Sequence, residues 1–181
     1  MGHYVLDACA LANLHCGWGG LAELRKFGES WGIGDIALGE AMFVRAFDAR
    51  GGICKVTLNS AAVAAEGNLQ VMSLGGTDEQ ASLIEFAMEL DDGEAQALAL
   101  AMHRKRVLVT DDRPAIRVAS GPHVAVQTMG TPELLMAWAN SNPKRQARVP
   151  EVVRRVAVLG PFHLKKTSPH YGWWQAQLDK P

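Results

Sequence analysis

The chain has 181 residues, 48% of them hydrophobic and 20% charged, with a formal net charge of −1. That is enough chain for one domain with a good core, and the composition is that of an ordinary globular protein. Three cysteines, Cys9, Cys16 and Cys54, form no CxxC pair, so they exclude a disulfide framework and read as small buried apolar groups in a reducing compartment.

No basic start leads into a long apolar run, and no stretch approaches the ~18 apolar residues of a membrane span. Leu6 stands where a myristoylation signal needs Ser or Thr. The expectation is a cytoplasmic protein with no membrane partner.

Charge is distributed unevenly. Residues 1–140 carry 10 Lys+Arg against 17 Asp+Glu, and residues 141–181 carry 8 against 2. Such a basic segment either meets nucleic acid or covers the domain's own acidic surface.

In chain order, His3 to Leu6 is a short β-prone run that ends in Asp7 and passes directly into a helical stretch, Ala8 to His15. Glycines break the chain before a second amphipathic stretch, Leu21 to Phe27. Gly32 to Leu38 reads as a turn and short strand. Glu40 to Ala49 reads as a helix stopped by Arg50-Gly51-Gly52. Ile53 to Leu58 and Leu69 to Leu74 read as strands around a short helix, Ala61 to Glu66. Thr77 to Gln80 has the capping-box pattern and opens a helix to about Leu90.

Asp91-Asp92-Gly93 precedes a strongly helical run, Glu94 to His103. Arg106 to Thr110 is a β-branched strand ending in Asp111-Asp112. Pro114 to Ala119 reads as a short helix, His123 to Gln127 as a strand, and Thr131 to Trp138 as a helix. Val149 to Leu159 fits a strand or a helix, and residues 160–181 give no clear pattern. Alternating strands and helices imply βαβ units: an α/β fold with a mostly parallel central sheet between two helical layers.

In such a sheet the carboxyl ends of the strands define the ligand crevice. Asp7, Asp111 and Asp112 follow strands directly, and Glu40 and Glu94 sit near the first turns of the predicted helices. Each acid has a structural alternative. Asp7, Asp91, Asp92, Asp111 and Asp112 are all placed to cap helices, Glu94 suits a helix dipole, and Glu40 suits a solvated first turn. The combination at one edge is harder to explain by capping. Gathered carboxylates repel unless a cation neutralises them, and hard cations such as Mg²⁺ or Mn²⁺ take oxygen ligands. Two such ions, about 3.5–4 Å apart, support phosphodiester hydrolysis.

The segments Tyr4 to Leu11, Leu38 to Ala41, Leu90 to Ala101 (an LDxGEAxAxALA pattern) and Val107 to Ala115 (a TDDRxA pattern) resemble, in order, those of PIN domains, VapC-like toxins among them. The resemblance covers roughly residues 3–140. It implies a PIN-like three-layer α/β/α nuclease domain over 1–140, with residues 141–181 as a basic C-terminal extension. It further implies Mg²⁺- or Mn²⁺-dependent cleavage of single-stranded RNA, with Asp7, Glu40, Glu94 and Asp112 as catalytic acids. Metal ligands are drawn from Asp7, Asp91, Glu94, Asp111 and Asp112. Asp91 competes with Glu94 for the third acidic role and Asp111 with Asp112 for the fourth. Thr110 and Arg113 are candidates for substrate contact, and Trp173-Trp174 for base stacking or tail packing.

Family members implicated as toxins pair with an antitoxin protein, and homodimers are common among them. The basic extension departs from the compact toxin pattern. The alternatives are a PIN-like module that binds RNA or protein without cutting, and a phosphatase of the haloacid dehalogenase type. The phosphatase needs a second Asp where Cys9 stands. Six scattered histidines without HxxxH or HxH spacing do not suggest zinc. No GxxxxGKS or GxxxxGKT motif and no GxGxxG motif occurs.

Overall fold

The computed structural model describes residues 2–160 and 162–180. Five short strands make one parallel sheet: β1 (His3–Leu6), β2 (Ser30–Gly34), β5 (Gln70–Met72), β6 (Val107–Val109) and β7 (Thr128–Met129), in the order β5-β2-β1-β6-β7. Leu6 lies opposite Ile33 on one side and Val109 on the other.

Strand residues alternate between faces, so successive apolar side chains feed two cores. Val5, Met72 and Leu108 pack with Phe86, Leu98 and Leu100 from α5 (Thr77–Phe86) and α6 (Asp92–His103). Leu6, Ile33 and Val109 pack with Leu11 and Leu14 of α1 (Ala8–Trp18), Leu135 and Trp138 of α8 (Thr131–Asn140) and Val153 of α9 (Pro143–Leu159). Both faces of the sheet are therefore covered, and the strands are apolar nearly throughout, as parallel strands between two helical layers must be. The protein is a three-layer α/β/α fold.

The smaller elements are α2 (Ala22–Phe27), α3 (Asp35–Glu40), α4 (Ser60–Gly67), α7 (Arg113–Ala119), α10 (Tyr171–Leu178) and an antiparallel hairpin, β3 (Phe43–Phe47) with β4 (Ile53–Thr57). The chain from β1 builds the sheet outward through β2 and β5, then crosses back to place β6 on β1's other side. The direction of winding therefore reverses between β1 and β6, which is where open α/β sheets form their ligand crevice.

Several expectations change. The helix expected from Glu40 to Ala49 is instead the end of α3 followed by β3. Phe43, Val44 and Phe47 favour a strand, and Asp48 accepts hydrogen bonds from the Arg50 and Gly52 amides, both at 2.8 Å, to make the hairpin turn. Gly51, at φ 80°, supplies the left-handed residue of that turn.

The strand expected at 123–127 is a set of turns: the amides of Val124 and Ala125 both donate to the Gly121 carbonyl, and only Thr128 and Met129 pair with β6. Thr77 is the first helical residue after an N-cap at Gly76, so the capping box is not formed. Glu79 instead accepts from the Gly75 amide and pairs with Arg104 at 2.9 Å.

The ambiguous run 149–159 belongs to α9. Val149, Val152, Val153 and Val156 recur at helical spacing, are buried and pack in the same core as α1. Trp174 of α10 joins that core, with Trp173 half-buried beside it. The segment set apart by its positive charge thus enters the hydrophobic core through its apolar side chains.

Candidate active site

The carboxyl end of the sheet places Asp7 after β1 and Thr110-Asp111-Asp112 after β6. The Asp7 amide donates to the Val109 carbonyl at 3.1 Å, which continues the β1–β6 ladder past the last strand residue. Asp7 is 1% exposed. Its Oδ1 caps α1 by accepting from the Ala10 amide at 2.5 Å, while its Oδ2 is buried with no hydrogen-bond partner among the described residues. Burial, more than any other influence, raises the Asp7 carboxyl to about 7; the Thr110 hydroxyl and Ala10 amide oppose this, and Asp111 and Glu94 add to it. An orphaned carboxylate oxygen inside a protein is costly, and the cost is relieved by a proton or a cation.

Glu94 enters from the first turn of α6. Burial and the neighbouring charges of Asp112, Asp91 and Glu40 raise its carboxyl to about 7 as well, against the pull of the Asp91 amide. Asp91 is the N-cap residue of α6, but its side chain makes no capping bond and is exposed. Glu40 is the last residue of α3 and not in a first turn; it accepts from the Gly93 amide at 3.1 Å through Oε1. A side chain at position 93 would displace the Glu40 carboxylate, so glycine leaves room for Glu40 to bond the Gly93 amide beside Glu94.

The two adjacent aspartates differ. Asp111 is held on both oxygens: Oδ2 accepts from Asn13 Nδ2 at 3.0 Å and from the Thr131 hydroxyl, and Oδ1 from the Thr131 amide at 2.8 Å. Burial still raises its carboxyl against these bonds. Asp112 caps α7 through Oδ1, which accepts from the Ala115 amide at 2.7 Å. Among the described residues its Oδ2 makes no hydrogen bond. Asp112 is therefore freer to act on a ligand than Asp111.

Thr110 is fully buried, and its hydroxyl accepts from the Asp112 amide at 3.0 Å. That contact fixes the turn after β6 and keeps the hydroxyl away from solvent. Arg113 is exposed at the start of α7.

Two neighbours escaped the sequence reading. Asn13 is buried on the otherwise apolar inner face of α1, and with Thr131 it holds Asp111 in place. Its signal was a lone amide among Leu11 and Leu14. Cys9, expected in the core, keeps solvent access at the rim of the site. Partial desolvation, then the charges of Asp7, Glu94, Asp112 and Asp111, push its thiol up to about 12, so it is a neutral thiol. Cys16 is buried as expected, and Cys54 is half-buried.

The site is thus carboxylate-rich, set at the reversal point of a parallel sheet, with two acids that hold protons unusually well. This geometry belongs to the α/β domains that gather acids at one sheet edge. The family model described as a PIN domain (DUF3368) matches residues 55–153, more than half of the chain. The chain belongs to the PIN domain family. The matched residues include Asp91, Glu94, Asp111 and Asp112; Asp7 and Glu40 lie outside them and join the site through the fold.

The search of curated proteins gave no match. Among solved structures, the chain is similar to the crystal structure of PAE2754 from Pyrobaculum aerophilum, at 20% identity and a TM-score of 0.47, over 77% of this chain and 98% of that one. PIN domains are generally nucleases and typically use divalent metals, so membership supports a nuclease role. Among the described residues, no helix is long and apolar enough to cross a membrane.

Proposed function

We propose that the protein is a metal-dependent endoribonuclease that hydrolyses phosphodiester bonds of single-stranded RNA. The observation that carries this reading is the buried Asp7, with an orphaned Oδ2, facing the charges of Glu94 and Asp111 at the β1–β6 reversal.

The donor set suits Mg²⁺ or Mn²⁺, because every candidate ligand atom is a carboxylate oxygen and one of them has nothing else to bond. Asp7, Glu94 and Asp112 would hold the ion by closing on it, since they stand too far apart to form a ligand set without it, with Asp91 and Asp111 as neighbouring acids and Glu40 supporting Glu94 through Gly93. When bound, the ion supplies neutralisation of the carboxylates and of developing phosphate charge, together with an activated water.

The chain's own residues do the rest. Thr110 and Ala10 fix the strand end and the Asp7 rotamer. Asn13 and Thr131 keep Asp111 in place, so it contributes charge without moving. Arg113, exposed at the rim, is placed to pair with a substrate phosphate. Such an enzyme acts on RNA in the cytoplasm, and as a toxin it would be restrained by an antitoxin protein.

The test is a cleavage assay on mixed single-stranded RNA with Mg²⁺, Mn²⁺ or EDTA, beside Asp7→Asn and Asp112→Asn. Metal-dependent cleavage lost in both variants supports the reading, and cleavage that survives in both overturns it.

A second reading, a PIN-like module that binds RNA or protein without cutting, is favoured by one observation. Among the described residues, no group of three or more His, Cys, Asp or Glu side chains is gathered closely enough to hold a metal ion. Tight RNA binding without cleavage under any metal condition would select it.

A further inference from the structure

Beside Asp111 the surface opens into a cavity of about 280 Å³. One wall comes from the domain, through Arg113 at the start of α7 and Glu133 in the first turn of α8. The other comes from residues 162–170, which lie beyond the stretch matched to the family and supply His163, Lys165, Ser168 and His170.

The acids here are already engaged. Asp111 is held by Asn13 and Thr131. Glu133 accepts from the Gly130 amide at 3.0 Å and meets His170 at 2.8 Å. The cations are not: among the described residues, the side chains of Arg113 and Lys165 make neither a hydrogen bond nor an ion pair, and both residues are exposed. Two cations that line one small cavity beside Asp111, unpaired among the described residues, attract an anion. Cations that served only to neutralise Asp111 and Glu133 would be bonded to them.

We propose that this cavity is a subsite for a backbone phosphate of a single-stranded nucleic acid, with Lys165 and Arg113 as its cations and His163 at its edge. Residues 162–170 thereby form the second wall of the substrate path. The proposal rests on the reading that the neighbouring acids act on RNA. Recognition is by phosphate, which RNA and DNA share, and the cavity is smaller than those that enclose drug-sized ligands, which suits one phosphate better than a whole base-stacked stretch.

The test is fluorescence anisotropy in EDTA, which measures binding without cleavage. The full chain is titrated with labelled oligo(U) and, in a parallel arm, labelled oligo(dT), over a range of salt. Lys165→Ala is expected to weaken binding about tenfold, and to flatten the slope of log K against log salt by about 0.7, the loss of one phosphate contact on a single strand. Lys165→Arg restores both, and Lys166→Ala, one exposed residue on, changes neither.

Equal losses for oligo(U) and oligo(dT) support a backbone contact, and loss with oligo(dT) alone overturns the assignment to the RNA path. Unchanged affinity and slope in Lys165→Ala, or an equal effect from Lys166→Ala, overturns the proposal even if the protein cleaves RNA. The expected loss of affinity in a protein that never cleaves would uphold the subsite and remove the nuclease reading alone.

Discussion

Two buried acids stand on opposite sides of the line between structure and function. Glu23, in α2, is 9% exposed and surrounded by donors. It accepts from Trp138 Nε1 at 3.1 Å and Arg148 at 2.9 Å, and pairs with Arg145 at 3.4 Å and Lys26 at 3.6 Å. Burial pushes its carboxyl up, but the bonds from Trp138 and Arg148 and the charges of Lys26 and Arg148 prevail and hold it below its usual range. Asp7 is buried more deeply, at 1% exposed, has an oxygen without a partner among the described residues and acids as its nearest charges, and its carboxyl rises to about 7. Burial thus gives a satisfied tie in one place and an unsatisfied site in the other, because cations surround the first, while deeper desolvation and neighbouring carboxylates act together on the second. An acid left unsatisfied in a cleft is the one to suspect of chemistry.

The comparison breaks most sharply at activity. Asp7→Asn is expected to lower metal-dependent RNA cleavage by at least about a hundredfold, whereas Glu23→Gln leaves the specific activity of the folded protein unchanged. Equal losses in both would erase the distinction.

Stability should respond in the opposite sense. Asp7's folded value lies above its unfolded one, so its protonated form favours the fold at low pH, and that contribution disappears as pH rises through about 7. In EDTA at pH 8, Asp7→Asn removes a charge that the fold resists, and should stabilise the protein by up to about 4 kcal/mol, the worth of raising one carboxyl from its ordinary range to about 7. At pH 4 the gain should vanish. Melting temperatures at the two pH values check this, and a destabilised Asp7→Asn at pH 8 would mean that the capping bond outweighs the charge.

Glu23→Ala, by contrast, strands the Trp138 donor and two arginines, and should cost about 1.5–3 kcal/mol in urea unfolding. The smallest effect on stability is expected at Asp112. Asn caps a helix as well as Asp does, so Asp112→Asn should shift stability by less than about 0.5 kcal/mol while still impairing cleavage. A large stability loss with cleavage intact would return Asp112 to a purely capping role.

Glu23 also explains the uneven charge along the chain. Arg145 and Arg148 of the basic C-terminal stretch bind it and lie over the Trp138 ring, at 5.8 and 5.7 Å. Arg155 donates to the Cys16 carbonyl at 3.0 Å and Arg154 to that of Lys180 at 2.6 Å. Much of the positive charge on α9 therefore fastens helices together. Lys165, by contrast, lines the cavity beside Asp111 and makes no hydrogen bond or ion pair among the described residues. Counting charges could not separate these roles, because each depends on what lies across from the side chain.

What the amino-acid sequence determined by itself is the alternation of strands and helices, the α/β class, and the acids at strand ends. These depend on local patterns: apolar runs such as Val107–Val109, the proline and aspartate that start α7, and the Asp7 junction between β1 and α1. Tertiary structure decided what local patterns cannot encode. It turned Phe43 to Phe47 into a hairpin strand, since the pairing partner and the Asp48 turn outweigh a helix-like spacing. It saturated Asp111 while leaving Asp112 an open oxygen, because Asn13 and Thr131 arrive from helices 98 and 20 residues away in the chain. It left Asp7 buried with an orphaned oxygen, because desolvation is set by every element packed around a residue and not by its neighbours in sequence.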